Sequence, residues 1–320
     1  MPDIAFRSGF KSDLTAFIEH KHKHGIPYKN GAYYLADFDR YCTINHPSCE
    51  QLSKSICMAW AVKRPSENAS GFLSRVAPIR QFGKYLVNLG KDAFMLPEKL
   101  GSHTSRPIPY IFTTDELRRF FDAADSMERH YQSVIRHLVA PLMFRYLYCC
   151  GLRPQEARNI HTQDVNLESG RLFVRESKGY RERIVMLPAD LAGLTKEYLP
   201  KVRNVYSEAE MLFPDRYGAR MTYDSQEYLF GICITKSGLC PPIKPALYSF
   251  RHSYATHRLY SWMKDGQDIA AKLPYLSAFM GHFDFACTAY YIHLIPELFL
   301  AMSGMDMSQF ESLIPEVAPE

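Results

Sequence analysis

Gly151-Leu152-Arg153-Pro154-Gln155-Glu156 is the stretch from which the rest of the chain can be read. Arg153 stands between Gly151 and Pro154, at the start of a helix expected to run through Glu156 and Ala157, and proline is well suited to a first helical turn. The guanidinium should therefore project from a rigid junction. Taken alone, Arg153 reads more simply as a surface arginine paired with Glu156 or Asp164. Upstream, Tyr131 to Cys150 is strongly apolar and is expected to form a buried helix. Before it, Thr113 followed three residues later by Glu116 has the pattern of a capping box and opens a new helix and a new domain. Downstream, Arg171 to Arg175 and Glu182 to Leu187 are short β-type runs on either side of Ser177-Lys178-Gly179-Tyr180, which reads as a hairpin with Lys178 at its tip. Helices are expected again through residue 313.

The first hundred residues have a different texture. Leu14, Phe17 and Ile18 recur at helical spacing before Gly25-Ile26-Pro27; Tyr33, Tyr34, Phe38 and Tyr41 mark a second helix. Leu73, Val76, Ile79, Phe82, Tyr85 and Leu86 mark a long one that Gly90 ends. Pro97 to Pro109 lacks apolar periodicity and is read as a linker. The expected fold is thus mainly α with a small β-sheet or hairpin. Residues 1–100 form an all-helical domain, 101–112 a linker, and 113–320 an α+β domain with a C-terminal tail helix.

The 320 residues, 47% of them hydrophobic, are enough for two cores. The net charge of +4 conceals an asymmetry: beyond residue 272 there are six Asp and Glu and no Lys or Arg, so the body is basic and the tail acidic. A basic body suits a polyanion, although many metabolic enzymes carry as much charge. Eight cysteines without a CxxC or regular spacing point to reduced thiols in a cytoplasmic setting. No charged-then-apolar leader and no apolar run of about 18 residues is seen, so export and membrane spanning are not expected. The run His20-Lys21-His22-Lys23-His24 alternates histidine with lysine, poor design for a metal site, and reads as a solvated basic helix end.

Chemistry is carried by segments far apart in the chain. In Pro245-Ala-Leu-Tyr-Ser-Phe-Arg-His-Ser-Tyr-Ala-Thr-His257, Tyr248 and Arg251 are three apart and share a helix face, while His252 is expected to point elsewhere and, like His257, to serve packing or surface. Gly281-His282 precedes Tyr291 by nine residues. None of these is convincing alone: a hairpin lysine is usually just solvated, and 21 tyrosines leave many for the core. Together, two forked guanidiniums, a lysine, a histidine and a phenol make a kit for attacking a phosphate.

The order Gly-Leu-Arg-x-x-Glu, hairpin lysine, x-x-x-Arg-His, Gly-His and Tyr resembles the tyrosine recombinase, or phage integrase, family. The resemblance covers Gly151 to Glu156, Ser177 to Pro188, Tyr248 to His257, and Phe279-Met280-Gly281-His282 with Thr288 and Tyr291; more loosely it covers the helical residues 10–100, similar to a DNA-clamping domain. It implies a site-specific recombinase that cuts and rejoins double-stranded DNA through a 3′-phosphotyrosyl intermediate, with no metal or nucleotide cofactor. Tyr291 is then the nucleophile, selected over Tyr290 by spacing. Arg153 and Arg251 would hold the phosphate, Lys178 would protonate the leaving oxygen, His282 would hydrogen-bond the phosphate, and Glu156 would support the site from behind. Tyr248 departs from the pattern, because the family most often has histidine three residues before the second arginine. A phenol, with an ordinary pKa of about 10, can donate a hydrogen bond but is a poor base. The resemblance also implies a tetramer on DNA joined through the C-terminal tail. Two other readings stay open at this point: a catalytically weak DNA-binding accessory protein, favoured by Tyr248, and a metal-dependent nuclease drawing on the twelve histidines. A one-way strand-passing topoisomerase would share the chemistry but fits the spacings less well.

Overall fold

The computed structural model of the chain describes residues 5–98, 100, 108–175, 182–282 and 286–294. It divides into two compact units, Met1–Pro107 and Ile108–Glu320.

In the first unit, α1 (Lys11–Lys23), α2 (Lys29–Asn45), α3 (Lys54–Trp60) and α4 (Ala69–Asn88) turn their apolar faces onto one core containing Leu14, Phe17, Leu35, Phe38 and Phe82. The helix starts are chemically marked: the Ser53 hydroxyl accepts from the Ile56 N–H and the Asn68 carboxamide from the Gly71 N–H, each satisfying a donor that the first turn leaves open. Arg75, fully buried in α4, forms two 2.7 Å hydrogen bonds to Glu67, which offset the cost of burying its charge. The histidine-lysine run lies at the exposed end of α1, as its alternation suggests.

The second unit begins with α5 (Thr114–Asp125), and the Thr113–Glu116 capping box is formed in both directions. The apolar stretch that follows becomes α6 (Arg136–Cys149), starting five residues later than its composition predicts because His130 to Ser133 close a turn of their own. Then come α7 (Pro154–Arg158) and an antiparallel sheet in the order β1 (Val165–Asn166), β2 (Arg171–Val174), β3 (Arg183–Met186). The last two strands are the predicted hairpin; its tip, with Lys178, lies outside the described residues, and the short β1 is an addition. Leu172 faces Val185 across the pair and both are fully buried, whereas Ile184 and Met186 are exposed, so one sheet face packs inward.

Helices α8 (Ala189–Arg203), α9 (Tyr223–Lys236), α10 (Tyr248–Lys264), α11 (Ile269–Met280) and α12 (Ala286–Ala289) complete the unit. The aromatic centre of the core is Phe250, whose ring lies 5.3 Å from Phe112, 5.0 Å from Phe120 and 5.7 Å from Phe230. It pins the first turn of α10. Arg251 and His252 therefore leave a helix turn anchored by close packing in the core. All eight cysteines are free. No helix among the described residues is long and apolar enough to cross a membrane.

Candidate active site

Two helix ends meet at the site. Helix α6 stops at Gly151 with φ +56° and α11 at Gly281 with φ +63°, left-handed conformations that glycine adopts without strain. A Cβ on Gly151 would lie 2.7 Å from the Tyr254 ring, so the close approach also requires its absence. The last turns of a helix expose carbonyls that have no partner within it and carry partial negative charge. Here arginines take them. Arg251 donates through Nη1 to Gly151 O and through Nη2 to Met280 O, both at 2.5 Å. Arg153 donates to Gly281 O at 2.9 Å, and Arg183 through Nε to Phe279 O at 2.8 Å.

Behind the arginines sits one carboxylate. Glu156 is buried and accepts from Arg153 Nη1 at 2.7 Å and from its backbone N–H at 2.8 Å, while Arg183 grips both oxygens at 2.9 Å; Arg251 is 3.9 Å away. Burial alone would raise its pKa, but the hydrogen bonds and charge of Arg183, with Arg153 and Arg251, outweigh it and hold the carboxyl at about 2. Glu156 is thus an anion that fixes three cations in one orientation. Burial, followed by the neighbouring Arg153 charge, lowers Arg251 to about 10.

Tyr291 is 4% exposed, within this cluster. Burial raises its pKa, and the Arg251 and Arg153 charges pull it back down. The His282 ring stacks on the phenol ring at 5.9 Å and 17°, with its Nδ1 2.7 Å from Thr288 Oγ1. Tyr290 lies beside Tyr291 edge-on, the ring centroids 6.1 Å apart. Tyr248, at the first position of α10, is 46% exposed, and its ring is 6.3 Å from that of His252.

His252 corrects the sequence reading. It does not point away: its Nδ1 is 3.2 Å from the Tyr291 hydroxyl. Burial, then the Arg251 charge, lowers His252 to about 4; burial, then the charges of Arg251, Arg153 and Arg183, lowers His282 to about 3. Both rings are neutral at pH 7. Between the ordinary value of about 6.5 and these lowered values the unfolded chain binds more protons than the folded one, so acid favours unfolding in that window. Thermal stability should therefore fall as pH drops from 6.5 towards 4. A His252→Asn, His282→Asn double variant should show a shallower fall; an identical slope in calorimetry would contradict neutral burial of the two rings.

The structure brings together Arg153, Glu156, Arg251, His282 and Tyr291, sets Tyr248 at the margin, and leaves Lys178 outside the described residues. Arg183 was missed. The signal was the strand alternation, which gives Arg183 the same face as the buried Val185 and places a charge where the core requires a partner for it. Among the described residues no group of three His, Cys, Asp or Glu side chains converges as a metal site, so the nuclease reading gains no support from the donors present.

A sequence profile of the phage integrase family matches residues 111–297, more than half of the chain. A Sinorhizobium fredii protein named as an integrase/recombinase, y4rB, is 26% identical over 299 residues, covering 91% of this chain and 95% of that protein. Tyrosine recombinase XerD of Listeria innocua is 23% identical over 270 residues, covering 82% and 84%. Among solved structures, XerH recombinase bound to its difH substrate after cleavage superposes with a TM-score of 0.65 at 21% identity, covering 86% of this chain and 78% of that one. A lambda integrase dimer on a core site gives 0.60 at 15%, covering 88% and 94%. With the profile spanning the unit in which the arginines, the glutamate and the buried tyrosine converge, the chain belongs to the phage integrase family, the tyrosine-type site-specific DNA recombinases.

Proposed function

We propose that the chain cuts and rejoins double-stranded DNA with Tyr291 as nucleophile. The phenol oxygen attacks a backbone phosphate, the 5′ oxygen leaves, and a 3′-phosphotyrosyl ester conserves the bond energy until a 5′ hydroxyl of another strand reverses the step. Arg153 and Arg251 neutralise the non-bridging oxygens as charge builds, Lys178 protonates the leaving oxygen, and His282 and Tyr248 donate hydrogen bonds to the phosphate. Glu156 holds the arginines from behind. The observation that carries this reading is the burial of Tyr291 against Arg251, Arg153 and His282, four residues from three separate segments. XerH and lambda integrase, each solved on DNA, support duplex DNA as the substrate.

The remaining parts of the proposal concern assembly and setting. The chain acts as a homo-oligomer, a tetramer on DNA. Residues beyond 294, outside the described part, carry acidic charge that repels DNA and apolar side chains such as Leu298, Phe299 and Phe310 that suit a protein surface, so the tail joins protomers. The setting is a mobile element in the cytoplasm; residues 1–100 act as the DNA clamp and 113–320 as the catalytic domain.

The deciding experiment traps the wild-type chain on a nicked suicide substrate taken from the ends of the element that carries its gene. A denaturation-resistant adduct should form in excess chelator. Activity that vanishes in chelator and returns with magnesium or zinc would establish the nuclease reading instead. In the same single-turnover assay, Arg153→Lys and Arg251→Lys should each slow cleavage by about 10²–10³-fold, since lysine offers no planar fork. Tyr248→Phe should slow it about 10- to 150-fold, the worth of one hydrogen bond to a charged group. Wild-type rates in an arginine variant would remove that residue from the phosphate.

A further inference from the structure

We propose that His252 is the proton acceptor for Tyr291, the position next to the second arginine supplying a base that Tyr248, in its place three residues earlier, cannot. The inference rests on Tyr291 being the nucleophile. Its ground is geometric: His252 Nδ1 is 3.2 Å from the phenol oxygen, within hydrogen-bond distance, with ring centroids 5.6 Å apart at 49°. Two other candidates near Tyr291 among the described residues are placed differently. His282 lies flat against the phenol ring, with its Nδ1 engaged by Thr288, and Tyr248 is a half-exposed phenol without a basic nitrogen.

Placement on α10 explains the division of labour. Neighbouring residues on a helix point about 100° apart, so Arg251 reaches the carbonyls of Gly151 and Met280 while His252 reaches Tyr291. Phe250 anchors this turn in the core and keeps both directions fixed.

The proton balance closes. With its own proton on Nε2, His252 accepts the phenolic proton on Nδ1 as the phenol oxygen bonds to phosphorus; the bond from phosphorus to the 5′ oxygen breaks, and Lys178 protonates that oxygen. When a 5′ hydroxyl attacks the phosphotyrosine, its proton returns to lysine and the imidazolium returns its proton to the departing phenolate. No proton is consumed over a full cut-and-rejoin cycle. Among the described residues, the groups around His252 are Arg251 and Tyr248 on α10 and Tyr291 and His282 from the segment after α11. Arg251 is the cation among them, and a phosphodiester anion seated on it offsets the charge that makes His252 a weak base in the free protein. The base thus strengthens when DNA arrives.

The test compares His252→Ala and His252→Asn with wild type in single-turnover cleavage, on a normal scissile phosphate and on one with a 5′-bridging sulfur, whose leaving thiolate needs no proton. Asparagine can reproduce a hydrogen bond near the Nδ1 position but cannot take up the proton. Both variants should bind DNA normally yet cleave at least about 10²-fold more slowly, the usual worth of a positioned base. The defect should persist on the sulfur substrate and shrink as pH rises towards the phenol's own range. The same sulfur substrate should rescue Lys178→Ala. Wild-type cleavage by His252→Asn would reduce His252 to positioning, and sulfur rescue of His252→Ala would move it to the leaving-group side; either overturns the proposal. Failure of the nucleophile reading looks different, because an adduct would then form without Tyr291.

Discussion

Tyr291→Phe is expected to abolish the covalent protein–DNA adduct while leaving DNA affinity close to wild type. On the proposed mechanism this removes the oxygen that forms the ester, and loss of a nucleophile costs on the order of 10⁶ in rate where it has been measured in other enzymes. The ring itself stays, so the packing of the 4% exposed side chain against His282 and the core is preserved. Tyr290→Phe should retain the adduct, since Tyr291 lies against Arg251 and within hydrogen-bond reach of His252. Gel analysis of trapped suicide substrates separates the two. A persistent adduct in Tyr291→Phe, or its loss in Tyr290→Phe, would reassign the nucleophile.

Glu156→Ala should be the most damaging change outside the chemistry. It removes the buried anion shared by Arg153 and Arg183 and close to Arg251, leaving clustered cations without that shared counter-charge. Breaking a buried pair from one side costs about 3–5 kcal/mol, a large part of the roughly 5–15 kcal/mol that holds a domain together. Cleavage should fall with it, because both arginines lose their orientation. Glu156→Gln keeps the volume and an acceptor and should unfold at higher urea than the alanine variant. Urea denaturation decides it. An alanine variant with wild-type stability would show that the carbonyls of α6 and α11 suffice to hold the arginines.

The parts of the fold announced by local chemistry were legible. The Thr113–Glu116 box, the β2–β3 hairpin and Arg153 before Pro154 each follow from side chains within a few residues of one another. The start of α6 was misplaced because apolar content continues through a turn that only backbone geometry reveals. His252 was misread because its direction depends on where Tyr291 arrives, from 39 residues away. Arg183 needed a partner 27 residues distant to declare itself. Long-range electrostatics, rather than propensity, set these positions.

The arginine contacts that build the site bridge 100 residues from Arg251 to Gly151, 128 from Arg153 to Gly281 and 96 from Arg183 to Phe279. Contacts so distant in sequence bear the largest loop-closure entropy and belong to the slow part of folding. A nascent chain that has not reached Gly281 lacks an acceptor that Arg153 uses, so the site is completed only after nearly the whole catalytic unit has been synthesised and has closed. For a protein that severs DNA, this makes competence to cut a late product of folding: fragments and half-folded intermediates hold no assembled scissors.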